Sequence, residues 1–170
     1  IYINTGGGEL NLHSSIVYNN KGYMGGGIYA EGTNNDDVVV NIYNSYINNN
    51  EASYGAGIYI YKAVGNIVNT TFKQNNCYSW GSGGAMGISS SDVTLKGCII
   101  SNNTAGYGGG GLIISSGAPD DASSNVNISD TIIQYNIVAY SFSIGGGGLL
   151  LENNINIIIR ESSFISNVAI

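Results

Sequence analysis

Groups able to do acid–base or nucleophilic chemistry are scarce here: eleven Asp and Glu, five Lys and Arg, one His and two Cys in 170 residues. Hydrolysis of a glycosidic bond takes two carboxylates facing each other across ~5–9.5 Å. A lyase takes a base, often Arg or Lys, and acids to hold calcium. Glu31, Asp92, Asp130, Glu152 and Glu161 are few and scattered, and they do not fall at one position of adjacent repeats. Arg160 is the only Arg, and an ion pair with Asp130 would not make a catalytic centre. His13, the only His, has no Ser and Asp partners in view for a triad. Gly108 to Gly111 lacks the Lys-Ser/Thr that completes a phosphate loop. Asp36-Asp37 and Asp120-Asp121 carry the oxygen ligands that Ca²⁺ takes, but no calcium-loop pattern surrounds them, and they read as solvated turn acids. These residues nominate no catalytic centre, metal site or cofactor. A polysaccharide lyase or hydrolase stays as the alternative to a non-catalytic role.

The remaining chemistry is that of surfaces. A net charge of −6 and pI near 4.3 argue against nucleic acid, which needs a Lys/Arg face. No basic block suits an anionic membrane, and no apolar run reaches the ~18 residues of a spanning helix. The chain begins at Ile1, with neither initiator Met nor signal peptide, and reads as a mature product or a segment of something longer. Asn69, Asn102 and Asn127 stand in N-x-[ST] sequons, which would carry sugar in a surface glycoprotein. Cys77 and Cys98 read as small, partly buried residues, bridged only if the fold brings them together.

Only 9% of the chain is charged, while 26 Gly and 24 Asn fill the space, with one Pro. That describes tight turns and few solvated helix faces. A unit recurs: an alternating apolar pair, a large apolar residue, an Asn, a glycine cluster, then a second apolar strand. One copy runs Leu10, Leu12, Ile16, Asn19, Gly25 to Gly27, Ile28, and the next runs Val40, Ile42, Tyr46, Asn49, Gly55 to Gly57, Ile58. The marker residues Asn19, Asn49, Asn75, Asn102, Asn136 and Asn167 are 30, 26, 27, 34 and 31 residues apart. Period-two alternation, as in Val93-Thr94-Leu95, selects strands, and a repeat near thirty pairs each strand with its counterpart one repeat on. The expectation is a single all-β domain over 1–170, a parallel β-helix of about six coils of short strands. Leu12, Ile42, Val68, Leu95, Ile128 and Ile159 should share one inward column, and Ile16, Tyr46, Phe72, Ile99, Ile132 and Phe164 another. The marker Asn residues should form an internal amide ladder at a corner, which would leave Asn102 unglycosylated and Asn69 and Asn127 as the acceptors.

Phe72-Lys73-Gln74-Asn75 followed by Gly83-Gly84-Ala85-Met86, and Phe164-Ile165-Ser166-Asn167, resemble the FxxN and GGA[ILV] repeats of chlamydial-type polymorphic outer-membrane and autotransporter passenger proteins. Over the whole chain the broader group of secreted right-handed β-helix repeat proteins is the better likeness. It implies a right-handed three-sheet coil with three short strands per coil, an extracellular or cell-surface setting and adhesive roles; lyases and hydrolases share the fold.

If Ile28, Ile58, Met86, Leu112 and Leu149 point inward, Tyr29, Tyr59, Gly87, Ile113 and Leu150 point out. Glu31, Tyr61, Ser89, Ser115 and Glu152 form a second outward column. Tyr29, Tyr59, Tyr61, Ile113 and Leu150 are the candidate ligand stripe, with a covering loop or another chain as the alternative account. Tyr23, Tyr54, Trp80, Tyr107 and Phe142, just before the glycine clusters, read as corner clamps. A glycan or host-surface protein would be the partner, and open coil ends near Leu10 and Phe164 would allow copies to associate as a filament.

Overall fold

Strand Gly8–His13 alternates inward Leu10 and Leu12 with outward Glu9 and Asn11, and its partner is not the next strand in sequence. It pairs in parallel with Val38–Tyr43, placing Leu10 over Val40 and Leu12 over Ile42. The same step repeats to the end of the chain. The computed structural model describes residues 1–4, 7–33, 38–117, 121–139 and 145–170, which form parallel strands and no helix.

Four sheets run along the solenoid, not the expected three. Sheet 1 holds Gly8–His13, Val38–Tyr43, Val64–Val68, Asp92–Lys96, Ser124–Ser129 and Ile155–Arg160. Sheet 2 holds the three-residue strands Ile16–Tyr18, Tyr46–Asn48, Thr71–Lys73, Ile99–Ser101, Ile132–Gln134 and Ser163–Ile165. Sheet 3, which carries the extra count, holds Glu51–Tyr54, Asn76–Ser82, Thr104–Ala105, Ile137–Val138 and Val168–Ala169. Sheet 4 holds Tyr2–Ile3, Ile28–Glu31, Ile58–Tyr61, Met86–Ser89, Leu112–Ser115 and Leu149–Glu152. The extra sheet arises because the segment between the corner Asn and the glycine cluster is long enough to pair with its own counterparts.

Ile28, Ile58, Met86 and Leu112 of sheet 4 are fully buried in register, as their alternation requires. In sheet 1 the inward column is Leu12, Ile42, Ile67, Leu95, Ile128 and Ile159; Val68 stacks instead on Tyr43. Sheet 2 departs from expectation by one residue. Its inward column is Val17, Ile47, Phe72, Ile100, Ile133 and Phe164, whereas Ile16 (72% exposed), Tyr46, Ile99 and Ile132 face out.

The reason lies at the preceding corner. Ser14, Asn44, Asn69, Asp130 and Glu161 take positive φ (47–51°), with Gly97 at 64°. That left-handed step turns the next side chain inward. Ser15, Ser45, Thr70, Cys98, Thr131 and Ser162 therefore point in, each within hydrogen-bonding reach of the carbonyl two residues back. Alternation then sends the following residue out. Burying each of Ile47, Phe72 and Ile100 is worth ~1.5–3 kcal/mol, set against a comparable ordering cost.

A candidate ligand surface at the aromatic corner

Where sheet 3 approaches sheet 4, successive coils present Tyr23, Tyr54, Trp80 and Tyr107. Tyr23 and Trp80 are 70% and 66% exposed, and Tyr54 37%. Tyr23 meets Tyr54 edge to face, centroids 6.2 Å apart, in the range aromatic pairs favour. Trp80 owes its projection to a bulge. Cys77 pairs with Ala52 and Ser82 with Tyr54, so the Cys77–Ser82 arm carries three residues more than the Ala52–Tyr54 arm. Bulges of this kind re-aim side chains beside a site. The Cys77 thiol closes the neck, with Sγ 3.2 Å from the Ser82 carbonyl oxygen and 3.4 Å from that of Gly83. Burial pushes this thiol up to about 12, so it stays protonated and serves as a clasp. Both cysteines are free and buried, and Cys98 takes the place of a hydroxyl in the sheet 1–sheet 2 corner column.

Two hollows lie along the aromatic row. One of about 240 Å³ is lined by Tyr23, Ser53, Tyr54, Tyr78, Trp80 and Gly81. The other, about 350 Å³, is lined by Tyr54, Trp80, Ser82, Tyr107, Ile113 and Glu152. They share the Tyr54 and Trp80 walls. Beside the first, Glu51 accepts from the Tyr78 hydroxyl at 3.3 Å and pairs with Lys21 at 3.3 Å, while the Lys21 ammonium lies 4.9 Å from the Tyr78 ring centre. The Tyr78 and Glu51 contacts together raise the Lys21 pKa.

The candidate stripe of sheet 4 has the expected register, but it is not a uniformly open face. Tyr29, Tyr59, Tyr61 and Leu150 are half-buried, and Ile113 is 9% exposed. The Tyr59 ring lies over Gly87, where a methyl group would collide with it, and the Leu150 side chain fills the space over Gly108. The missing side chains of those glycines let their neighbours fold across the sheet. At the first coils the rings run on: Tyr2 stacks on Tyr29 at 5.1 Å, Tyr29 sits 5.9 Å from Tyr59, and Tyr59 6.5 Å from Tyr54. Burial, then the hydrogen bond and charge of Glu31, push the Tyr29 phenol well above its ordinary range. Tyr61 donates to Asp121 at 3.5 Å, and Asp121 also holds Lys62 at 3.0 Å.

The carboxylates do not converge. Glu31 and Glu152 share a column of sheet 4 but stand four rungs apart, ~19 Å at the usual strand spacing. Asp92 accepts from Asn125 at 2.7 Å on the outer face of sheet 1. Asp130 and Glu161 are corner residues, and Asp130 meets Arg160 through its backbone N–H. Among the described residues no three His, Cys, Asp or Glu side chains come together. Asp36, Asp37, Asp120 and Phe142 lie outside the described residues.

The amide ladder is internal, but half its members shift by one residue. It runs Asn20, Asn50, Asn75, Asn103, Asn136, Asn167; in every step the backbone N–H and the side-chain amide both donate to the next Oδ1, at 2.9–3.1 Å. Asn19, Asn49 and Asn102 are instead left-handed corner residues, with φ of 53–56°, and Gln74, Tyr135 and Ser166 fill that position elsewhere. The signal was present in the FxxN spacing: Val17, Ile47, Phe72, Ile100, Ile133 and Phe164 each stand three residues before a ladder Asn. Asn102 is therefore exposed, as are the sequon residues Asn69 and Asn127.

A family model for the right-handed β-helix region matches residues 1–170, and the chain belongs to that family. Its coils are accordingly right-handed. No curated protein and no solved structure matches the chain. No helix is long and apolar enough to cross a membrane, among the described residues.

Proposed function

We propose that this β-helix belongs to an extracellular, cell-surface protein and works by adhesion, with the aromatic corner as its contact with glycan. The observation that carries the reading is one ring on each of four successive coils, exposed at Tyr23, Tyr54 and Trp80 and half-buried at Tyr107, fixed to the solenoid. Flat apolar rings beside carboxylates, hydroxyls and backbone amides suit a sugar, which has apolar faces and hydroxyl edges. The FxxN and GGA[ILV] likeness to autotransporter passengers supports the surface setting. A role without catalysis is favoured by the ~19 Å between Glu31 and Glu152, too far for a hydrolase pair.

The test is binding of the purified protein to a panel of immobilised glycans, beside Trp80→Ala and Tyr54→Ala. Each variant should lose about tenfold in affinity, or ~1.4 kcal/mol, with the β-sheet circular dichroism of the folded protein retained. Absence of any glycan binding, with capture of a protein ligand instead, would remove the reading. A fall in polysaccharide viscosity on adding the protein would establish the lyase or hydrolase alternative.

A further inference from the structure

Resting on that glycan reading, we infer that the ligand is a neutral polysaccharide lying along the solenoid axis across the aromatic row, and that polyuronates are excluded. Direction follows from placement. The rings succeed one another coil by coil, and the two hollows adjoin through the shared Tyr54 and Trp80. A chain crossing the axis would meet one ring; a chain following it meets all four.

Charge sets the class. Among the described residues lining these hollows, Glu152 is the only charged one. Glu152 lines a hollow with Trp80 and Ile113, where a ligand carboxylate would meet its like charge. Lys21, which lines a further hollow with Tyr23 at the end of the row, is held 3.3 Å from Glu51, so it offers little uncompensated charge. Lys62 is similarly held by Asp121 at 3.0 Å, and the only Arg, Arg160, ends a strand of sheet 1. A polyuronate would bring one carboxylate per sugar to a row where Lys21 is already paired with Glu51. A neutral chain meets no such opposition, and its hydroxyls can donate to Glu152.

Calorimetric titration at low salt with cellohexaose, xylohexaose, the N-acetylglucosamine hexamer and hexagalacturonate tests this. At least one neutral hexamer should bind, more tightly than its own dimer, and hexagalacturonate should bind at least about tenfold more weakly at pH 7. Glu152→Gln should narrow the ratio between hexagalacturonate and the neutral hexamer, and so should raising the salt on the unaltered protein, which needs no variant to fold. Hexagalacturonate binding as tightly as the neutral hexamers, or a ratio indifferent to both changes, would overturn the inference and leave the glycan reading standing. No binding by any hexamer would take the glycan reading down with it. Equal affinity for dimer and hexamer would overturn the axial placement alone.

Discussion

Asn102 and Asn103 are neighbours of identical chemistry, and the fold should make them behave oppositely. Asn103 is fully buried. Its Oδ1 accepts from the Asn75 backbone N–H and side-chain amide, both at 3.0 Å, while its Nδ2 donates to Phe72 O at 3.2 Å and Asn136 Oδ1 at 2.9 Å. Asn103→Ala removes all four bonds. The Asn75 backbone N–H and one hydrogen of its side-chain amide lose their acceptor, whereas Asn136 Oδ1 keeps the Asn103 backbone donor. Two buried donors stranded at ~1–3 kcal/mol each place the loss at ~2–6 kcal/mol. Asn102 is exposed, sits at φ 55°, and contributes its backbone N–H to Gln134 O at 3.2 Å, a bond indifferent to the side chain. Asn102→Gly keeps a residue suited to that φ and should change stability by no more than ~0.5 kcal/mol. Urea unfolding of both variants, followed by circular dichroism, gives the comparison. A loss below ~1 kcal/mol for Asn103→Ala, or a larger loss for Asn102→Gly, would refute the ladder as the source of corner stability.

The same one-residue offset in sheet 2 can be read from Phe72→Ala, expected to cost ~3–5 kcal/mol by thermal or chemical unfolding, against Tyr46→Thr, expected within ~0.5 kcal/mol because Tyr46 is 56% exposed. The thiols predict alkaline sensitivity. Burial pushes Cys77 up to about 12 and Cys98 up to about 11, from 9.0. Above pH 9 the unfolded chain releases these protons and the folded chain keeps them, so the thiols' contribution to stability should be fully present below their unfolded pKa and be lost as pH rises towards 11–12. Cys77→Ala/Cys98→Ser should flatten that part of the curve; an unchanged slope in the double variant would contradict it. A thiol-reactive dye at pH 8 should label the native protein only after denaturant is added.

How the chain folds was written in its period. Repeats near thirty residues, alternating apolar pairs and glycine clusters leave stacking as the way to bury each coil's apolar side, because no single coil can do so alone. Columns such as Leu95 over Ile67 follow from that period and alternation, once the correct member of an adjacent apolar pair is taken. What the sequence left open is every assignment that hangs on one residue at a corner. In Asn19-Asn20, Asn49-Asn50 and Asn102-Asn103 either side chain could enter the ladder, and only the left-handed φ of the first sends the second inward. Ile16 and Tyr46 looked like core because they are apolar; the inward hydroxyls of Ser15 and Ser45 just before them turn them outward. The aromatic row just before the glycine clusters was legible, but as clamps; the exposure of Tyr23 and Trp80 was hidden, since the bulge that projects Trp80 exists only once Asn76–Ser82 lies beside Glu51–Tyr54. Period-two patterning gives the faces of a strand but not its phase, and the phase is set by backbone turns whose partners lie a full coil away.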